Sequence, residues 1–229
     1  MSVLVVTGTG TEIGKTIVTA AVAAAAADRR VAVLKPAQTG LEPGEPGDAA
    51  EVARLAGAHV TAVELARFPE PLAPATAARR AGMRPVRPHE VAEATEKLAA
   101  DHDLVLVEGA GGLLVRFDDE GATLADAARL LAAPVLVVAP AGLGTLNSTA
   151  LTAEALRARG LDCLGVVIGS MPSAPDLAAR CNVADLPVAA GAPLLGVVPE
   201  GAGSLAPADF RTRAADWLAE PLGGHRAPA

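Results

Sequence analysis

The sequence predicts an α/β fold, a single domain with a mostly parallel sheet and helices on both of its faces. Three observations predict it. Six short apolar runs recur along the 229 residues without the strict alternation of a half-exposed strand, as expected where a sheet is covered on both sides. Stretches with helical patterning separate these runs, which implies right-handed crossovers between parallel strands. No shift in composition marks a boundary, and a chain of this length fits one large α/β domain. The domain is expected over residues 1–220, with a patternless tail from Pro221 to Ala229 that should fray.

The elements follow in order. Ser2–Thr7 is a continuous apolar run and reads as the first strand; glycines after it lead into a helix over Lys15–Asp28. Val31–Lys35 is the second strand, closed by Lys35; Pro36 forbids helix continuation and aims the chain outward. The glycine- and proline-rich stretch Gly40–Gly47 is a loop before a helix over Asp48–Ala56. A second loop, Gly82–Pro88, precedes a helix over His89–Ala100. The runs Leu104–Glu108, Pro134–Ala139, Leu164–Ile168 and Leu194–Val198 complete the predicted strands. Helices are expected over Thr123–Ala132, Thr145–Arg159 and Pro207–Ala219. In such sheets ligands bind at the carboxyl ends of the strands.

Composition excludes several classes of function. With 19 Lys+Arg against 26 Asp+Glu the formal charge is −7, whereas a nucleic-acid groove needs clustered cations. The aromatics are Phe68, Phe117, Phe210 and Trp217, too few for base-stacking platforms, so the core must be built from Val, Leu and Ala. No apolar run approaches the ~18 residues that span a bilayer. Met1–Gly8 has no basic leader, so a cytoplasmic protein is expected. Cys163 and Cys181 make neither a disulfide framework nor a zinc motif. His59, His89, His102 and His225 have no ligand spacing, and Asp118–Glu120 reads as a solvated acidic turn. Lys15, Lys35 and Lys97 are the lysines among 19 cationic side chains, and the first two fall at strand or helix junctions.

Gly8-Thr-Gly-Thr-Glu-Ile-Gly-Lys-Thr16 follows the first strand and opens the first helix. Its glycines let several N–H groups face one anion, and the helix start adds positive potential. Lys15 would reach the outer phosphates of a nucleotide and the Thr16 hydroxyl could ligate Mg²⁺. The strict pattern wants its first glycine at Thr9; here Gly8 and Gly10 flank that position. Glu108 ends a strand and runs into Gly109-Ala-Gly-Gly112, which reads as a metal-binding carboxylate beside backbone that a ligand can approach. Asp48 is open between metal ligand and helix cap. Lys35 is a second ammonium at the ligand edge, suited to a transferred phosphoryl or carboxyl group.

With these motifs in hand, the chain resembles the dethiobiotin synthetases, a family with a P-loop NTPase-like fold. The resemblance rests on Val6-Thr-Gly-Thr-Gly-Thr-Glu-Ile-Gly-Lys-Thr16, Leu34-Lys-Pro-Ala-Gln-Thr-Gly40, Leu106-Val-Glu-Gly-Ala-Gly-Gly-Leu-Leu-Val115 and Gly142-Leu-Gly-Thr-Leu-Asn-Ser-Thr149. The displaced loop glycine is itself a family feature. The resemblance implies a ligase of biotin biosynthesis that closes 7,8-diaminononanoate with CO₂, through a carbamate and a carbamic–phosphoric anhydride, to dethiobiotin. It implies ATP or another nucleoside triphosphate as co-substrate and Mg²⁺ held by Thr16, Asp48 and Glu108.

By the same resemblance, Lys15, Lys35 and Thr11 serve the reacting groups. Glu12, Ile13, Gly14, Ile17, Gly109, Ala110 and Gly111 join Lys15, Thr16, Asp48 and Glu108 around the nucleotide. Thr39, Gly144, Thr145, Leu146 and Asn147 bind the diamine, whose carboxylate is expected on the helix start of a partner subunit in a homodimer. No nucleic acid or membrane partner is expected. Gly169, Ser170, Pro199, Glu200 and Gly201 line the base pocket, where Gly169-Ser170 replaces the Asn of adenine-reading members. Two other functions compete. A partition- or septum-type nucleotide switch would carry a lysine where Gly10 stands. An amidoligase would add a glutaminase domain for which 229 residues leave no room.

Overall fold

A computed structural model describes residues 2–227. Its centre is a seven-stranded sheet in the order β3-β2-β4-β1-β5-β6-β7. The strands are β1 Val3–Gly8, β2 Val31–Thr39, β3 Val60–Phe68, β4 Leu104–Gly112, β5 Val135–Ala139, β6 Cys163–Met171 and β7 Leu194–Pro199. Every neighbouring pair is parallel. The helices are α1 Lys15–Ala25, α2 Asp48–Ala56, α3 Pro74–Ala81, α4 Pro88–Asp101, α5 Leu124–Leu130, α6 Thr145–Ala158, α7 Leu177–Ala190 and α8 Pro207–Trp217.

The strands read as unbroken apolar runs because both faces are covered. One core holds Val18 of α1, Val52 of α2 and Phe210 of α8 against Leu4, Val33 and Leu106. The other packs α3 to α7 against Leu34, Val107 and Val137. Each fully buried Val or Leu contributes about 1.5–3 kcal/mol of transfer free energy. No helix among the described residues is long and apolar enough to cross a membrane.

Several elements depart from the sequence expectation. The edge strand β3 was not expected, because its Glu64 and Arg67 interrupt any apolar run. Nor was α7, whose Pro187 lies inside the helix, or α3, whose apolar residues are small alanines. Lys35 does not close the second strand, which runs on to Thr39. The ladder from β2 to β4 ends at Leu34, and the ladder to β3 skips only Pro36 before resuming at Ala37; a residue without an N–H is tolerated where no partner needs it. Lys35 therefore sits within β2, at the point where β2 and β4 part.

The predicted fraying does not begin at Pro221. Leu222 is buried, and the N–H groups of Gly224, His225 and Arg226 bond back to Ala219, Ala215 and Leu218. Residues 228–229 lie outside the described part. Asp118 also differs from its expected solvated turn: it is buried, pairs with Arg87 at 2.9 Å and accepts the Ala122 N–H.

Candidate active site

The loop between β1 and α1 is shaped by its glycines. Gly14 has a φ of 92°, and a Cβ there would lie 2.4 Å from the Gly169 carbonyl oxygen. Gly169 is constrained reciprocally, since its Cβ would meet the Ile13 oxygen at 2.0 Å. The end of β6 thus packs directly on the phosphate loop. Glu12 takes a left-handed conformation, with φ 58°, which is uncommon for a residue with a side chain.

Lys15 opens α1 and is buried; its Nζ donates to the Gly10 carbonyl at 2.8 Å. Thr16 Oγ1 donates to Glu108 Oε1 at 2.9 Å. Glu108, from β4, is fully buried, and its Oε2 has no hydrogen-bond partner. Lys35 Nζ lies 2.9 Å from Glu108 Oε1 and 2.5 Å from Asp48 Oδ2, and donates to the Gly109 carbonyl at 3.1 Å. Asp48 is not the cap of α2: Gly47 holds that position, and no side chain of its own caps the helix. The Asp48 carboxylate turns to Lys35 instead.

These charges hold the two lysines differently. Burial pushes the Lys15 ammonium below the ordinary lysine range, and the Lys35 charge pushes it further, against the pull of Glu108 and Asp48. Burial also acts to lower Lys35, but Glu108 and Asp48 outweigh it and hold this ammonium above the ordinary range.

A cavity of about 870 Å³ opens over this cluster, lined by Thr11, Lys15, Thr16, Lys35, Thr39 and Asp48 among others. Glu12, Ile13, Gly14, Ala110 and Gly111 also face it. Of the remaining expected residues, Ile17 packs toward Gly203, and Gly109 has no room for a Cβ beside Leu124. Pro199 ends β7 and Glu200 and Gly201 follow it, where the Glu200 N–H bonds to Met171 at the end of β6. Gly144–Asn147 begin α6 and do not line the cavity; Thr145 is buried and Asn147 exposed. The sequence reading missed Gln38, which is buried and accepts the Asp48 N–H through Oε1 at 2.9 Å. Its place inside the Lys35 motif was the available signal.

Thr16, Asp48 and Glu108 fit a Mg²⁺ ion. Glu108 offers an orphaned oxygen, and Mg²⁺ is held by one or two carboxylates while keeping several waters. No group of three or more His, Cys, Asp or Glu that could hold a metal converges among the described residues.

A glycine-shaped loop, a lysine and a threonine on a helix start, and a carboxylate from an adjacent parallel strand define a P-loop nucleoside-triphosphate-binding protein. The ATP-dependent dethiobiotin synthetase BioD of Streptomyces avermitilis is 73% identical over 226 residues, covering 98% of this chain and 94% of the relative. The chain belongs to the ATP-dependent dethiobiotin synthetase family, ligases of biotin biosynthesis. The synthetase of Rhodococcus jostii is 62% identical over 95% of each chain. A family model described as an AAA domain matches residues 2–207. Among solved structures, a ParA family ATPase from Chlorobium tepidum superposes with TM-score 0.59 at 13% identity, covering 97% of this chain and 96% of that one. The MinC:MinD cell division complex of Aquifex aeolicus gives 0.57 at 16%, covering 93% and 86%. At those identities the fold is what is shared.

Proposed function

We propose that this chain closes 7,8-diaminononanoate and CO₂ to dethiobiotin, using ATP as co-substrate. The observation that carries the reading is the Lys35 ammonium, buried between Asp48 and Glu108 at the rim of a cavity that Lys15 enters from the phosphate loop. One substrate amine adds CO₂ and loses a proton to give a carbamate. A carbamate oxygen then attacks the γ-phosphorus, ADP leaves, and a carbamic–phosphoric anhydride forms. The second amine attacks the carbonyl carbon, expels phosphate and loses a proton, closing the ring.

These steps need charge neutralisation and in-line positioning more than a strong base. Lys15 neutralises the outer phosphates, and Lys35 the carbamate and the transferring group. Thr11 and Thr39 offer hydroxyls to the same groups. Thr16, Asp48 and Glu108 would hold Mg²⁺, which when bound neutralises phosphate oxygens. Glu12–Ile17 and Gly109–Gly111 cradle the nucleotide, and Gly169, Ser170 and Pro199–Gly201 border its base. Ser170 offers a hydroxyl where an Asn would offer a donor and an acceptor, so Ser170→Asn is expected to shift base preference toward ATP.

The exposed Leu143 and Asn147 around the start of α6 support a homodimer in which Gly144–Asn147 of one subunit take the substrate carboxylate of the other. The protein is proposed to work in the cytoplasm. The test supplies the diamine, bicarbonate, ATP and Mg²⁺ and measures phosphate and dethiobiotin. Equal amounts of both, lost when the diamine is omitted, are expected. Phosphate release indifferent to the diamine would point instead to a nucleotide switch.

A further inference from the structure

We propose that Gln38, with Arg67 holding the loop before α2, is a positioning residue that sets Asp48 for its cation and for Lys35. The first four N–H groups of a helix need partners from outside it. In α2 the cap is Gly47, which has no side chain to offer, and Gln38 Oε1 accepts the Asp48 N–H at 2.9 Å from a neighbouring strand. Gln38 is 5% exposed, and its Nε2 donates to the Thr39 carbonyl at 3.3 Å. The backbone just before Asp48 is gripped closely. A Cβ on Gly47 would lie 2.2 Å from Glu64 Oε1, 2.9 Å from Gln38 Oε1 and 3.0 Å from an Arg67 guanidinium nitrogen.

Arg67 donates to both oxygens of Glu64 at 3.0 and 2.9 Å, and also to the carbonyls of Glu42 and Glu45 at 3.2 and 2.5 Å. It therefore ties the loop that leads into α2 to the edge strand β3, whose register sets Glu64 beside Lys35 and Arg67 beside Gln38. The alternation of β2 slips by one at Lys35-Pro36. Ala32, Leu34 and Ala37 share one core while Val31 and Val33 face the other. The slip lets two residues three apart, Lys35 and Gln38, both reach Asp48, one at its carboxylate and one at its N–H.

Because Asp48 is assigned to the cation only in the function proposed above, the test carries its own control. Mn²⁺ is titrated as the probe with a non-hydrolysable ATP analogue present, and free Mn²⁺ is read by electron paramagnetic resonance. Asp48→Asn is the reference. Gln38→Met, which keeps the size and loses the acceptor, is expected to weaken Mn²⁺ binding about tenfold. Gln38→Glu, which keeps an acceptor oxygen, should restore most of it. Val52→Ala, which loosens α2 from its buried face, should lower the melting temperature without moving the Mn²⁺ affinity.

Arg67→Met should shift the affinity in the same direction by a smaller factor, and it serves if Gln38→Met does not fold. Native affinity in Gln38→Met beside a weakened Asp48→Asn would overturn the role of Gln38 and leave that of Asp48 standing. An equal loss in Val52→Ala would overturn it too, since helix stability would then explain the effect. Native affinity in Asp48→Asn would remove the Asp48 assignment and this inference with it.

Discussion

Lys15 from the start of α1 and Lys35 from within β2 enter one cavity, yet their surroundings give them opposite tendencies. Lys15 is short of negative charge, and an incoming polyphosphate would supply it. Lys15→Ala should therefore weaken nucleotide binding by at least tenfold, the equivalent of about 1.5–3 kcal/mol for a charge-assisted contact, as calorimetry would show. Lys35 is already paired, and its proposed substrate partner exists only during the reaction. Lys35→Ala should leave nucleotide affinity near native while product formation stops. Its raised pKa also has a consequence for stability. The ion pairs contribute fully below the ordinary lysine value of 10.5 and are lost as pH rises through the higher value that the folded state holds. Melting curves of the native chain and Lys35→Met should therefore converge at strongly alkaline pH. A gap that widens there would contradict the pairing.

At the scale of elements, close backbone contact joins the phosphate loop to β6. Gly169→Ala would drive a Cβ into the Ile13 carbonyl, so the loop must move. It should lose nucleotide affinity by more than its change in melting temperature accounts for, which parallel titration and thermal scans would separate. The start of β2 is tied to the start of β4 by Asp103, which accepts from the Arg30 N–H at 2.9 Å and pairs with its guanidinium at 3.1 Å. Hydrogen bonds from the Arg30 side chain and backbone hold the Asp103 carboxyl down at about 2. Its contribution to stability is present above the ordinary value of 3.8 and disappears as pH falls through about 2. Asp103→Asn should lessen the acid sensitivity of the melting temperature in that window.

The elements also show what the sequence could reveal. Unbroken apolar runs made six strands legible, the edge strand β7 among them, because strands covered on both faces need Val and Leu on both sides. The same rule hid β3, an edge strand that keeps Glu64 and Arg67 for the loop before α2. The loop glycines, Lys15 and Thr16 stood out because a phosphate loop fixes their spacing, and Glu108 because it ends an apolar run; the structure brings Thr16 and Glu108 together at 2.9 Å. Asp48 stayed ambiguous because a helix-start acid looks alike as cap or ligand until Lys35 is placed beside it. Gln38 stayed hidden although it lies in the Lys35 motif, because its partner is the backbone N–H of Asp48, which residue type alone does not reveal.

At the scale of the whole molecule, the neighbouring strands β2, β4 and β1 gather Lys35, Glu108 and the phosphate loop, while the start of α6 stands apart from their cavity. Shared sites in a dimer would reconcile the two. Lys35→Ala subunits exchanged with Asn147→Ala subunits should regain activity, because one site of each mixed dimer carries neither defect. Mixed dimers that form and stay inactive would show that each subunit works alone.

The most direct measurement follows one oxygen. If ATP activates a carbamate, a carbamate oxygen becomes the bridge of the anhydride and departs with phosphate when the second amine closes the ring. Native protein is mixed with the diamine, ATP, Mg²⁺ and oxygen-18-labelled CO₂, quenched before CO₂ exchanges with water, and the phosphate is analysed by mass spectrometry. The proposed chemistry predicts one labelled oxygen in each phosphate formed with dethiobiotin. Unlabelled phosphate accompanying dethiobiotin would contradict it.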